Sequence, residues 1–490
     1  MKKLIAGLVS VIAVASFADE FKVALWRGET LHVHIPEMIK LTQPPSPITI
    51  REGGVKEVRF RPSRLNFMYK SVADKVDWTG WKEGPRVLEI TVPAETKAGN
   101  YECGDLKIKV VDRILPPPSQ WKYILDLWQH PWAISRVHNV KPFSSEYWKV
   151  ARPIYELLAT AGQKFITATL LDRPWNNQCF DAYQTMVRHI KRADGSWRFD
   201  YEIFDKYVEF AMSCGIGPYI ACYTLCPWGN MVYWQDESGK TFSASAPAGS
   251  KEFKEYWGDF LVDFSKHLKE KGWFDITYIA MDERSPEEVK AIADFMQEKA
   301  PGLKLSMAGN RKPSEFAGIK IDCYSQFICD IDDAFLAEIP ALRAKGYMTT
   351  FYVCSGPNEP NNFLDSDNDE SFWIGFYPAA VGLDGFLRWA WNSWGYQPWG
   401  ERPNNDVTVD VMHPRNQGNS FLCYPDGSAS WRFLMIRQGI VAAEKARILR
   451  EKGLFVDKFN KLKAVYDIKN KNRPTYKSAS DRVRILVNKE

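Results

Sequence analysis

From about residue 20 to 113 apolar and polar positions alternate in short runs: "FKVALW", "TLHVHI", "SPITIRE", "EVRFRP", "RVLEITVPA" and "AGNYECGDLKIKVVD". A period of two puts every second side chain on one face, and Gly, Pro and Asn between the runs mark turns, so this stretch predicts an all-β sandwich. It stops at "ILPPPSQ", residues 114–120, whose three prolines continue neither a helix nor a central strand. Beyond that linker, short β-rich apolar runs alternate with longer segments of helical period. Eight strand candidates follow: "YILDLWQ" from Tyr123, "KFITATLL" from Lys164, "IGPYIACY" from Ile216, "ITYIAM" from Ile276, "LKLSMAG" from Leu303, "IDCYSQF" from Ile321, "YMTTFYVC" from Tyr347 and "LDGFLRWAWN" from Leu383. Helical patterns such as "SEYWKVARPIYELLATAG", "KEYWGDFLVDFSKHLKEKG" and "SPEEVKAIADFMQEKAPG" separate them, several stopping at glycine. This rhythm predicts an α/β fold, a (β/α)8 TIM-type barrel behind an N-terminal β-sandwich. A doubly wound sheet is the alternative, but no Gly-rich phosphate fingerprint follows the first strand. A last helix, "SWRFLMIRQGIVAAEKARILREKG", closes the barrel after a loop of roughly forty residues, long enough to be functional.

The predicted boundaries are a leader over 1–18, the sandwich over 19–115, the barrel over 116–452 and a tail over 453–490. The tail ends in "RVRILVNKE", which suits a final strand or a free end. The leader is read from Lys2 and Lys3, an apolar run, and small residues Ser16 and Ala18 at signal-peptidase spacing. With no cysteine near its end it is not a lipoprotein anchor, and an exported, periplasmic or secreted protein is expected. No later apolar stretch reaches the roughly 20 residues of a membrane span.

Charge adds exclusions. The chain carries +4, and about +2 without Lys2 and Lys3, which leaves no footprint for nucleic acid or an anionic membrane. Nine cysteines are an odd number, scattered through strands such as "IACYTLC", so most read as small buried hydrophobes, with one or two disulfides not assignable. No C-x-x-C and no H-E-x-x-H occurs, "HVH" at 32–34 lacks a third ligand, and "DSDNDE" at 365–370 lacks the glycine of a calcium loop. No metal and no cofactor are expected. The 19 tryptophans and 14% aromatic content suit either a Trp-rich core or flat sugar-stacking surfaces.

Candidate chemistry centres on "YIAMDERSPEE", residues 278–288, where Asp282 and Glu283 end the fourth barrel strand. Helix capping does not need them, because Ser285, Pro286 and Glu288 already form an S-x-x-E capping box with proline at the first helical position. The C-terminal ends of barrel strands are where catalytic groups collect. Both side chains reach one pocket only if the strand relaxes there, since neighbours on a regular strand point opposite ways; a surface salt-bridge role is the alternative. The second signal is "GFLRWAWNSWGYQPWG", residues 385–400, with Trp389, Trp391, Trp394, Tyr396 and Trp399 at the end of the eighth strand. Sugar rings stack their C–H faces on such rings, although Trp389 suits the core equally. Asn392 and Arg388 are candidate hydroxyl contacts or structural groups. "LWQHPW" and "LLDRPW" place His130, Asp172 and Arg173 at the ends of the first two strands, and Tyr324 and Tyr352 lie near the ends of the sixth and seventh.

These blocks, with "NNFLDSDNDESFWIGFYPAAVGLDGFLRWAWNSW" and "GNSFLCYPDGSASWRFLMIRQGI", resemble glycoside hydrolase family 123 over about residues 120–450. The resemblance implies an exo-acting enzyme that releases terminal β-linked N-acetylgalactosamine with retention, from glycolipid or glycoprotein oligosaccharides. It further implies substrate assistance, an exception to the two-carboxylate scheme. Asp282 then orients the 2-acetamido group and Glu283 is the acid and base. Tyr324 or Tyr352 is the implied donor to the acetamido oxygen, and a tryptophan such as Trp391 the wall for its methyl. Two rivals stand beside this reading. One is a conventional glycosidase in which Glu283 works with Asp172 or Asp384; the other is a non-catalytic glycan-binding protein.

Overall fold

The computed structural model describes residues 20–60, 70–176, 178–395, 417–462 and 475–489. The expected leader and the aromatic residues Tyr396 and Trp399 lie outside the described residues. The alternating runs form β1 (Phe21–Arg27), β2 (Glu29–His34), β3 (Thr49–Phe60), β4 (Lys70–Asp77), β5 (Arg86–Val92), β6 (Gly99–Cys103) and β7 (Leu106–Ile114). They make two sheets, β1-β7-β6 and β2-β5-β3-β4, which share a core of Leu25, Val33, Leu88, Ile90, Ile108 and Val110. The crossing from one sheet to the other turns at Gly28, with φ +80, where a Cβ would stand 2.5 Å from the Leu115 carbonyl oxygen. Only glycine fits there.

All eight expected barrel strands form. In chain order the elements are β8 (Ile124–Leu127), α1 (Pro131–His138), α2 (Ser145–Ala159), β9 (Phe165–Thr169), β10 (Arg188–Lys191), β11 (Trp197–Asp200), α3 (Glu202–Ser213), β12 (Tyr219–Tyr223), β13 (Met231–Asp236), β14 (Thr241–Ser245) and α4 (Lys251–Glu270). They continue with β15 (Thr277–Asp282), α5 (Pro286–Lys299), β16 (Lys304–Gly309), β17 (Cys323–Phe327), α6 (Asp333–Ala344), β18 (Met348–Tyr352), α7 (Asn368–Val381), β19 (Gly385–Arg388), α8 (Trp431–Glu451), α9 (Val456–Leu462) and α10 (Tyr476–Val487). The barrel order is β8-β19-β18-β17-β16-β15-β12-β9, and every paired neighbour is parallel. A short 3-10 turn at Pro313–Phe316 replaces the helix between β16 and β17.

The joint between β8 and β9 is made largely by two buried glutamines. Backbone contact there is one bond, Lys164 N–H to Leu125 O at 2.9 Å, beside a single bridge. Gln163 accepts from Leu127 N–H at 3.0 Å and donates to Leu127 O and Phe165 O. Gln129 accepts from Thr167 N–H at 2.9 Å and donates to Leu127 O and Phe165 O. Side-chain amides thus satisfy backbone groups that the sheet leaves without ladder partners.

Two features depart from the expectations. A small sheet, β11-β10-β13-β14, is inserted in the chain after β9 and after β12, on the rim formed by the strand C-termini. The tail forms α10 instead of a strand: Ala479, Ser480, Val483, Leu486 and Val487 are its buried positions, a helical spacing, and Thr475 caps it by accepting from Ser478 N–H. The apolar run at its end imitates a strand only when read without the turn that precedes it.

The sandwich is bolted to the barrel by buried charge. Asp74 of β4 pairs with Arg432 of α8 at 2.9 Å, both 2% exposed, and also accepts from the Tyr424 hydroxyl at 2.6 Å. Arg432 donates in turn to the carbonyls of Asn362 and Gly418. Glu29 and Lys445 form a second enclosed pair at 2.5 Å. Six of the nine cysteines are buried. In "DSDNDE", Asp367 caps α7 in a box with Glu370.

Candidate active site

At the end of β15 the strand does relax. Asp282 is its last paired residue, and Glu283 takes a left-handed backbone with φ 45 while its N–H still reaches Ala308 O at 2.8 Å. For a residue with a Cβ this conformation costs on the order of 1 kcal/mol. It breaks the alternation, and Tyr352 feels the charge of both carboxylates. The capping box is complete without them: Ser285 N–H donates to Glu288 at 3.0 Å and Glu288 N–H to Ser285 Oγ at 3.3 Å.

Asp282 is half-buried. Burial first, and then the charge of Glu283, push its pKa up to about 7, against the pull of the Arg284 charge and a hydrogen bond from the Trp175 side chain. Around it stand rings from neighbouring strand ends. Trp128 packs on Tyr223 at 4.6 Å and on Trp175 at 5.1 Å, and Trp175 packs on Tyr223 at 4.7 Å and Tyr183 at 4.8 Å. Across the site Tyr352, at the end of β18, donates its hydroxyl to Glu283 Oε1 at 2.6 Å. Burial and the Glu283 charge raise the Tyr352 pKa, so the phenol stays a donor. The ring of Phe327 supports it at 5.4 Å. Arg284 lies over the Trp228 ring at 5.5 Å, with Nε and Nη2 enclosed and without a hydrogen-bond partner.

Several expected contacts sit elsewhere. Trp391 and Trp394 are fully enclosed, Trp391 against Phe433 at 4.7 Å and Trp394 donating its indole N–H to Cys423 O at 2.8 Å. They are core, because the chain at 417–424 returns over them through the Asn392–Phe421 bridge. Asn392 is equally buried: it accepts from His130 N–H at 2.8 Å and donates to His130 O at 3.1 Å. His130 caps α1, accepting from Ala133 N–H at Nδ1, and donates from Nε2 to Asp181 O at 2.9 Å. Burial pushes its pKa down to about 3, leaving a neutral ring. Tyr324 donates to the Arg311 carbonyl, in space that a Cβ on Gly309 would fill. Arg388 is held by Asn361, Asn419 and Val353 O. Arg173 is exposed, its charge beside Asp172. Of the expected contacts, only Tyr352 joins the acidic pair, while Trp389 at the end of β19 is partly exposed.

The sequence reading missed Trp128, Trp175, Tyr223, Arg284 and Trp228. Trp128 and Trp175 stood within the quoted strand-end strings, and a rule of looking for aromatics directly after each barrel strand finds them. The proposed partner carboxylates are turned away: Asp172 accepts from Thr185 N–H at 2.8 Å, and Asp384 precedes β19 at the opposite end of the barrel, bound to Arg343 at 2.7 Å. Among the described residues no group of three His, Cys, Asp or Glu is placed to hold a metal ion, and no helix is long and apolar enough to cross a membrane.

The fold is shared with a family 123 glycoside hydrolase from Clostridium perfringens, described for glycolipid glycan hydrolysis. It is 24% identical, with 96% of this chain and 92% of that chain covered and a TM-score of 0.79. An endo-β-1,4-mannanase from Thermotoga petrophila is more distant, at 9% identity over 67% of this chain and 78% of that chain, with a TM-score of 0.36. No curated protein matches the chain. The model of the glycoside hydrolase 123 catalytic domain matches residues 128–449, from the first aromatic of the wall to the end of α8. By that match, over more than half its length, the chain belongs to glycoside hydrolase family 123, a family of β-N-acetylgalactosaminidases.

Proposed function

We propose that this glycosidase removes terminal β-linked N-acetylgalactosamine with retention, through an oxazolinium intermediate formed by the substrate itself. The observation that carries the reading is the pair Asp282 and Glu283, adjacent in sequence yet differently surrounded, with neither Asp172 nor Asp384 turned toward it. Burial and the adjacent Glu283 charge push the Asp282 pKa up to about 7, so this carboxyl keeps a proton that an exposed aspartate would release. When the sugar binds, its acetamido N–H donates to Asp282, which favours charge there and leaves the proton on Glu283.

The acetamido oxygen then attacks the anomeric carbon as the bond to the leaving oxygen breaks, and Glu283 protonates that oxygen. Asp282 faces the nitrogen on which positive charge builds. In the second half Glu283 takes a proton from water as the water opens the ring, so no enzyme nucleophile is needed. Trp128, Trp175 and Tyr223 offer apolar faces to the sugar and the acetamido methyl, and Tyr352 is near enough to exchange Glu283 for a substrate oxygen. The substrate class proposed is a glycolipid or glycoprotein oligosaccharide, the former acted on by the Clostridium perfringens relative. An exported location is proposed from the leader pattern alone.

A panel of aryl β-glycosides differing only at positions 2 and 4 tests the reading. The 2-acetamido galacto sugar is the expected substrate and its 2-hydroxy counterpart is expected to be inert. Turnover of the 2-hydroxy sugar through a trapped glycosyl-enzyme would assign the nucleophile to a protein carboxylate and sink the proposal.

A further inference from the structure

We propose that Arg284, stacked on Trp228, binds an anionic oxygen group on the glycan, a carboxylate or a sulfate ester; this deepens the glycosidase reading above and rests on it. A guanidinium keeps its charge throughout the working pH range, and a half-buried one normally forks onto a carboxylate. Arg284 does not. Among the described residues it forms no salt bridge, and its Nε and Nη2 are enclosed without a hydrogen-bond partner. The guanidinium carbon lies over the Trp228 ring at 5.5 Å, and the indole Nε1 of that ring is enclosed and unpartnered too. Three donors thus meet in one stack with no acceptor among them. Leaving enclosed donors unmatched is unfavourable, which calls for an acceptor from outside the fold.

The carboxylates near Arg284 in the chain do not fill that need. Asp282 and Glu283 serve the reaction, and Glu283 already accepts from the Tyr352 hydroxyl. Glu287 is exposed. Glu288 accepts from Ser285 N–H at 3.0 Å and takes the Cys226 thiol at 3.8 Å. The stack also stands beside the reacting groups. Arg284 follows Glu283 directly, and Trp228 donates its backbone N–H at 2.9 Å to the carbonyl of Pro174, the residue before Trp175 of the ring wall. Both members of the stack are half-buried, so a ligand can approach them. A turn of the guanidinium on its flexible stem presents the enclosed nitrogens while the indole remains as a platform. A planar, permanently charged fork is matched best by two oxygens that share a negative charge, and a neutral hydroxyl is the weaker partner. Such oxygens occur as a sulfate ester on the N-acetylgalactosamine itself or as an acidic sugar on the leaving side of the linkage.

The test compares the wild type with Arg284→Met and Arg284→Gln, which remove the charge with and without keeping a polar end. Two matched substrate pairs distinguish the sources. One is an aryl β-N-acetylgalactosaminide and its 6-O-sulfate; the other is a carboxyphenyl β-N-acetylgalactosaminide and its methyl ester. The quantity read is the kcat/KM ratio of the acidic to the neutral member, in which a general loss of folding or activity cancels. In both variants this ratio is expected to fall roughly tenfold or more, as for a lost hydrogen bond to a charged group. A fall in the sulfate pair places the anion on the N-acetylgalactosamine, and a fall in the carboxyphenyl pair places it on the leaving side. Ratios unmoved in both pairs, including equal losses on acidic and neutral members, would overturn the inference. Absence of wild-type turnover on any β-N-acetylhexosaminide defeats the functional reading instead. Equilibrium binding of the same pairs, followed by ligand NMR, then decides this one: selective weakening of the acidic members in the variants supports it, and unchanged relative affinity overturns it.

Discussion

Glu283 is held in a left-handed backbone by a hydrogen bond to Ala308 and faces a phenol that donates to it. A carboxyl so placed can give a proton and take one back, and Glu283→Gln keeps its shape while removing that ability. The loss in kcat/KM is expected to reach roughly 10²- to 10⁴-fold on glycosides with poor leaving groups and to be smaller on activated aryl ones; equal losses on both would remove Glu283 as the acid. Asp282 carries a stability signature. Its pKa is raised from 3.8 to about 7, so the folded state keeps a proton that the unfolded chain releases. Its contribution is fully present below pH 4 and is lost as pH rises from about 4 to 7. Asp282→Asn, which resembles the protonated form, should therefore be more stable than the wild type above pH 7, by on the order of 1 kcal/mol or more, with the gap closing toward pH 4. Urea denaturation at pH 4 and pH 8 measures it.

At the scale of elements, Trp391 and Trp394, which follow β19, are core. Replacing Trp394 by Ala leaves Cys423 O without its donor and opens a cavity, and a stability loss of about 3–5 kcal/mol is expected. Trp394→Phe should lose less and keep the wild-type KM; a raised KM at unchanged stability would return Trp394 to the sugar site. The barrel strands and the acidic pair were legible because periodicity and capping chemistry are local. The small sheet of β10, β11, β13 and β14 was not, since the pairing that unites its two hairpins joins segments some forty residues apart, as Ile190 with Gln235. Nor was the burial of Trp391, Trp394, Asn392 and His130, which depends on the chain at 417–424 folding back over β19. A polar residue at a strand end looks the same in sequence whether it meets a sugar or another loop, as His130 and Asn392 do here by binding each other. Trp175, in contrast, was readable by type and position but was passed over beside Asp172 and Arg173.

Across the whole molecule, the sandwich supports the catalytic rim through Asp74 and Arg432, because Arg432 also holds the carbonyls of Asn362 and Gly418. Asp74→Ala strands a buried guanidinium and is expected to destabilise the protein by about 3–5 kcal/mol, whereas Asp74→Ala combined with Arg432→Met should recover part of that loss. Thermal melts of the three proteins decide it, and a harmless single variant would show that the pair is solvated. The glutamine joint between β8 and β9 has a different consequence. In an open sheet these strands are the two edges, and open edges are templates on which a neighbouring chain extends the sheet. Gln163 occupies the free Leu127 N–H and the carbonyls of Leu127 and Phe165. Gln163→Leu should therefore reveal itself during refolding as aggregation that grows with protein concentration, visible by light scattering, before any change in the kinetics of molecules that have folded.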